Sequence, residues 1–241
     1  MDSDHRLTVL ARSVALMAGG ALMVVSGGCG SAASPPPKLN PQTVLQQAKA
    51  KADASSSVHF VLTSSNVGSS GTNIVYGAGD LVRPDELQGS FSVTFKGLTL
   101  DVKVVSKGTV FEALLPFAKG YVKTNPASFG LTNPAQLMDP NTGLTSLLAH
   151  PQNPRVTSQE RVAGELLDTV TFSVPGTSIP VLPDANPSKP VTLIAAIDAS
   201  SHELRQITLV GPLTSASSNS TFILRLTNYN EQVNITLPPT S

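Results

Sequence analysis

The 241-residue chain balances 16 Lys and Arg against 16 Asp and Glu, with only 13% charged and 5% aromatic residues, no Trp and a single Cys. With no basic surplus and few aromatic platforms, neither phosphate neutralisation nor base stacking has material to work with, which excludes nucleic acid as a partner class. A lone cysteine excludes an internal disulfide, so the core must be built from the aliphatic side chains that dominate the 40% hydrophobic content.

The chain opens with an apolar segment that starts at Ser13, runs into Ser26-Gly27-Gly28 and closes on Cys29. Its apolar stretch of about 13 residues is too short for the roughly 20 that a spanning helix needs. Such a segment reads as a lipoprotein signal peptide over residues 1–28, with the Cys29 thiol as the lipid-attachment site. The mature chain is therefore expected to be exported and lipid-anchored to the outer face of a cytoplasmic membrane or within the cell envelope. Residues 29–39, with Ser34-Pro-Pro-Pro-Lys38, are small, polar and proline-rich, which predicts a flexible tether.

One domain is expected over 40–241. Asn40-Pro41 supplies a cap and a first helical residue, and Val44, Leu45, Ala48 and Ala52 recur at helical spacing, predicting an amphipathic helix of three to four turns. From Ser57 the period changes to two, with strands expected at about 57–66 and 71–82. Phe91, Val93 and Phe95 then alternate with polar residues, as do Leu100, Val102 and Val104, and Gly97-Leu98 fits a two-residue turn between them. That turn pairs Phe95 with Leu100, Val93 with Val102 and Phe91 with Val104. A second turn at Lys107-Gly108 sets Val104 opposite Phe111 and Val102 opposite Ala113, with Leu115 continuing the row. Three strands thus share one apolar face, the pattern of an antiparallel meander wet on its outer side.

Asn133-Pro134 and Asp139-Pro140 each predict a capped helix start, with Leu144, Leu147 and Leu148 on one side and Pro151 and Pro154 as the stop. Strands resume over 155–174 with a break at Ala163-Gly164. Five prolines make 175–190 a loop with a short helical turn, and strands follow near 191–198, 204–211 and 220–229, where Phe222, Leu224 and Leu226 alternate. No Gly-x-Ser-x-Gly or His-Glu-x-x-His stands in the chain, and His5, His59, His150 and His202 lack metal-ligand spacing, so no catalytic or metal residue, no cofactor and no enzyme activity is expected. His202 reads as a turn residue and Asp139 as a cap.

At Leu137-Met-Asp-Pro-Asn-Thr-Gly-Leu144, at Asp198-Ala-Ser-Ser-His-Glu-Leu204 and at Leu226-Thr-Asn-Tyr-Asn-Glu-Gln-Val233 the chain resembles the mycobacterial LppX/LprA/LprF/LprG lipoprotein family. The resemblance implies an α+β fold: a half-open antiparallel β-barrel, a strongly curved sheet with helices on its concave face, enclosing an apolar cavity. It also implies an acylated lipid or glycolipid ligand, carriage from the cytoplasmic membrane toward the outer envelope, a membrane lipid exporter as a further partner, and a monomer. Phe91, Val93, Phe95, Leu100, Val102, Val104, Phe111, Ala113 and Leu115 are the candidate cavity wall, Phe91 first among them, although ordinary core packing serves each one equally well. The competing expectation is a surface lipoprotein that binds protein, as an adhesin or a transporter partner, without lipid cargo.

Overall fold

The computed structural model describes residues 38–68, 72–129, 134–179, 186, 188–215 and 217–239. The signal peptide, Cys29 and nearly all of the tether lie outside the described residues. Residues 38–241 form one compact unit.

Helix α1 spans Pro41–Asp53, and Asn40 caps it as expected, its Oδ1 accepting from the amides of Gln42 and Thr43 at 3.0 and 3.3 Å. Val44, Leu45, Ala48 and Ala52 are its buried face. Eleven strands follow: β1 Ser57–Ser65, β2 Thr72–Val82, β3 Glu86–Phe95, β4 Leu98–Lys107, β5 Val110–Leu114, β6 Val122–Lys123, β7 Gln152–Val162, β8 Glu165–Pro175, β9 Pro190–Asp198, β10 Leu204–Gly211 and β11 Ser220–Thr227. All pairings are antiparallel, and the order is β6-β5-β4-β3-β2-β1-β11-β10-β9-β8-β7. The fold is α+β, but the sheet is open: β6 and β7 are its two edges, so the barrel does not close.

The two turns of the β3–β5 meander differ from expectation in register and not in face. The first turn is Lys96-Gly97, with φ of 49° and 80°, so Phe95 pairs with Leu98, Val93 with Leu100 and Phe91 with Val102. Two left-handed residues suit the twist of a two-residue hairpin, and glycine takes the second without strain. The second turn is Gly108-Thr109, which sets Val104 opposite Ala113 and Ser106 opposite Phe111. Each shift is by two residues, and a shift of two leaves every side chain on its own face.

Because β6 and β7 sit at opposite edges, the connection between them has to travel across the sheet, and it carries the cover of the inner face. Two α-helices were expected there; among the described residues the segment holds 3-10 turns at Pro126–Phe129, Pro134–Met138 and Leu144–Leu148. Asp139 does act as a cap, its Oδ1 accepting from the amides of Asn141 and Thr142 at 2.8 Å each, but the Gly143 amide donates to Asp139 O and closes a turn instead of a helix. Gly143 is required there: a Cβ would stand 2.4 Å from Leu137 O and 2.5 Å from Asp139 O. β11 ends two residues earlier than expected, since Asn228 and Asn230 take φ of 54° and 62° and turn the chain away.

Candidate functional site

β1 and β11 are the first and last strands of the sheet, and they pair with each other. Phe60 stands opposite Leu226 and Leu62 opposite Leu224, so two alternating apolar rows run side by side on the inner face. On the other flank of β1, the partners of Phe60 and Leu62 are Gly79 and Gly77, and Gly79 in turn faces Gly89 of β3. Three glycines therefore leave a bare strip in the middle of an apolar wall. The Phe91 ring lies in part of it: a Cβ on Gly77 would stand 2.6 Å from Phe91 Cδ1, and one on Gly89 would stand 3.2 Å from Cε2. Phe60 and Phe91 meet with ring centroids 6.0 Å apart.

Beside the Phe60 and Phe91 side chains is an apolar cavity of about 120 Å³. Its floor is the inner face of β1, β2, β3, β10 and β11, through Phe60, Leu62, Ile74, Phe91, Leu209 and Phe222. Its cover is the crossing segment, through Leu137, Met138, Leu144 and Leu147, with Ala52 of α1 and Ile179.

Polar groups enter it at few places, Arg83 and Tyr229 among them, and both are engaged. Arg83 Nε donates to Ser55 O at 2.9 Å, Nη2 to Ala52 O at 3.2 Å and Nη1 to Met138 O, with Asp53 Oδ1 3.8 Å from the guanidinium. Tyr229 donates its hydroxyl to Leu204 O at 2.7 Å, and burial pushes its phenol well above the usual value. The cover is tied down by the same cluster: Lys49 donates to Pro140 O at 2.7 Å and Thr145 Oγ1 to Asp53 Oδ1 at 2.7 Å. The described residues thus wall the site mostly with hydrocarbon, and its Arg83 and Tyr229 are already engaged. Among the described residues no group of three or more His, Cys, Asp or Glu is placed to hold a metal.

Of the nine expected wall residues, Phe91 lines the cavity. Val93, Val102, Val104, Phe111 and Ala113 are buried in the common core, Leu100 and Leu115 pack against it half-buried, and Phe95 is exposed. The wall is supplied mainly by β1 and β11, whose alternations at Val58-His-Phe60-Val-Leu62 and at Phe222 to Leu226 are legible in the sequence. His202 sits in the β9–β10 turn with φ of 59°, its amide donating to Asp198 O.

Comparison with known proteins agrees with this architecture. The family model described as LppX_LprAFG lipoprotein matches residues 40–235. A relative named lipoarabinomannan carrier protein LprG, from Mycobacterium bovis (strain BCG / Pasteur 1173P2), is 26% identical over 223 residues, 90% of this chain and 91% of that one. The crystal structure of LprF from Mycobacterium bovis superposes with a TM-score of 0.67 at 17% identity, covering 84% of this chain and 99% of that one. That of the Mycobacterium tuberculosis lipoprotein LppX gives 0.57 at 18% identity, covering 81% and 97%.

Proposed function

The chain belongs to the LppX/LprAFG lipoprotein family, and from that membership together with its cavity we propose that it binds acylated lipids or glycolipids and carries them from the cytoplasmic membrane toward the outer envelope. The observation that carries this reading is the hydrocarbon-walled space at the β1–β11 junction. Each methylene moved from water into it contributes about 0.8 kcal/mol, so affinity needs few polar contacts. The relative named as a lipoarabinomannan carrier supports a glycolipid cargo.

The volume sets a condition on the mechanism. At about 120 Å³ the cavity is comparable to the ~150 Å³ engineered apolar cavity that holds a benzene. It takes the end of an acyl chain, and a whole chain enters only as the 134–148 cover moves off the sheet. Phe91 is the expected wall residue that would touch the chain. Cys29 would carry the diacylglyceryl anchor, a membrane lipid exporter would supply cargo, and the protein would act as a monomer and without catalysis.

The test is native mass spectrometry on protein purified from a mycobacterial host. Stoichiometric multi-acyl lipid is expected, and it should be lost in Leu62→Trp, whose larger ring fills the cavity from a half-buried position. An empty protein with an unchanged melting temperature would overturn the carrier reading in favour of a protein-binding lipoprotein.

A further inference from the structure

The inner-face rows of β3, β4 and β5 outrun the cover. Exposure rises along the first two, Val93 6% then Phe95 44% and Val102 4% then Leu98 66%, and beyond the end of β5 Phe117 is fully exposed. Phe95 and Leu98 are direct cross-strand partners at the hairpin tip. Phe117 follows β5 out of the sheet at the same end, since β5 runs antiparallel to β4 and Leu114 already pairs with Lys103. Singly exposed apolar residues need no explanation, but two paired at a hairpin tip, with a third just past the end of the neighbouring strand, do.

The charges around them are one-sided although the whole chain is neutral. Over residues 90–124 the charged side chains are Lys96, Lys103, Lys107, Lys119 and Lys123 against Asp101 and Glu112. Glu112 is buried, and Lys107 pairs at 2.8 Å with Glu86 at the opposite end of the strands. Asp101 is left as the exposed carboxylate of this stretch against Lys96, Lys103, Lys119 and Lys123, and it accepts from Ser92 Oγ at 2.6 Å. Lys96 stands over the Phe95 ring at 5.3 Å, so cation and aromatic ring are presented together.

We propose that this end of the sheet, with Phe95, Leu98 and Phe117 flanked by Lys96 and Lys119, docks on the surface of an anionic lipid bilayer. Apolar side chains entering the interfacial region beside lysines facing lipid phosphates is the combination that such a surface rewards. The surface is continuous with the cavity along one row, Phe95, Val93 and Phe91, so a docked domain sets the cavity wall in line with the bilayer.

The experiment is co-sedimentation of the unit 38–241, which carries no lipid anchor, with phosphatidylcholine vesicles with and without phosphatidylglycerol. Binding is expected to the anionic vesicles and to weaken as salt is raised. Lys96→Gln or Lys119→Gln should weaken it about fivefold each, and Leu98→Ser or Phe117→Ser by about tenfold, with melting temperatures unchanged because all four side chains are exposed. Equal binding to neutral vesicles, or tip variants that bind like the parent, would overturn the proposal. So would a concentration-dependent dimer that Leu98→Ser dissolves, which would make the patch a self-association surface. Cargo is read separately: Leu98→Ser should keep its lipid in native mass spectrometry, whereas Leu62→Trp should lose lipid and still sediment, so failure of docking and failure of the carrier reading are distinguishable.

Discussion

Asp198 ends β9, and one of its oxygens gathers the turn that follows. Oδ1 accepts from the Ser200 hydroxyl at 2.6 Å, the Ser201 amide at 2.6 Å and the Ser200 amide at 2.9 Å. The Ser200 hydroxyl and the Ser201 amide outweigh the effect of burial and hold the carboxyl down at about 2. The folded value lies below the ordinary carboxylate value of about 3.9, so this group's contribution to stability is complete above about pH 4 and is lost as pH falls through about 2. Asp198→Ala should therefore lower the urea midpoint at pH 6 and cost progressively less as pH falls toward 2. An equal cost at pH 6 and pH 2 would show that the carboxylate charge is irrelevant to the turn. At the same scale, Gly77 and Gly89 matter for what they lack, since the Phe91 ring occupies the space their side chains would take.

Among the elements, the crossing segment 134–148 covers the cavity, and Arg83 is one of its ties. A single guanidinium holds carbonyls of α1, of the turn after it and of the cover, at Ala52, Ser55 and Met138. Hydrogen bonds from a charged donor contribute about 1.5–3 kcal/mol each, so Arg83→Ala should cost about 3 kcal/mol and raise amide exchange at Gly143, whose proton goes to Asp139 O. Unchanged exchange across 134–148 would remove Arg83 from that role. The sequence shows the helix cap, the strands and the apolar face of the β3–β5 meander, because caps and period-two alternation are local signals. It does not show where the cavity lies. That depends on which part of a long apolar face the cover fails to fill. Arg83 is likewise illegible, because its partners are backbone carbonyls brought from three separate places. The Asp139 cap is legible, but the turn it closes is set by the close backbone packing of Gly143.

For the whole molecule, what the sequence adds to the described domain is its attachment. Among the described residues no helix is long and apolar enough to cross a membrane; the hold on the envelope proposed above rests on Cys29 and on the exposed end of the sheet. Cys29→Ala should shift the protein from the detergent phase to the aqueous phase in phase partitioning, while leaving cargo in the cavity intact. Retention in the detergent phase would show that Cys29 is not the anchor. The edges of the open sheet are managed separately: β6 is two residues long, and β7 carries register shifts and Arg155, Glu160 and Arg161, devices that discourage edge-to-edge pairing.

The strand order also sets a schedule. Every pairing joins strands adjacent in sequence except at the one seam where β1 meets β11. The two flanks, β1 to β6 and β7 to β11, are meanders that can assemble from local contacts as each emerges from the secretion channel, whereas the seam waits for the last strand of the sheet to arrive. Because the cavity floor straddles that seam, a half-translocated chain has no pocket to fill. On the proposed carrier reading, loading would thereby be restricted to molecules whose synthesis and export are complete.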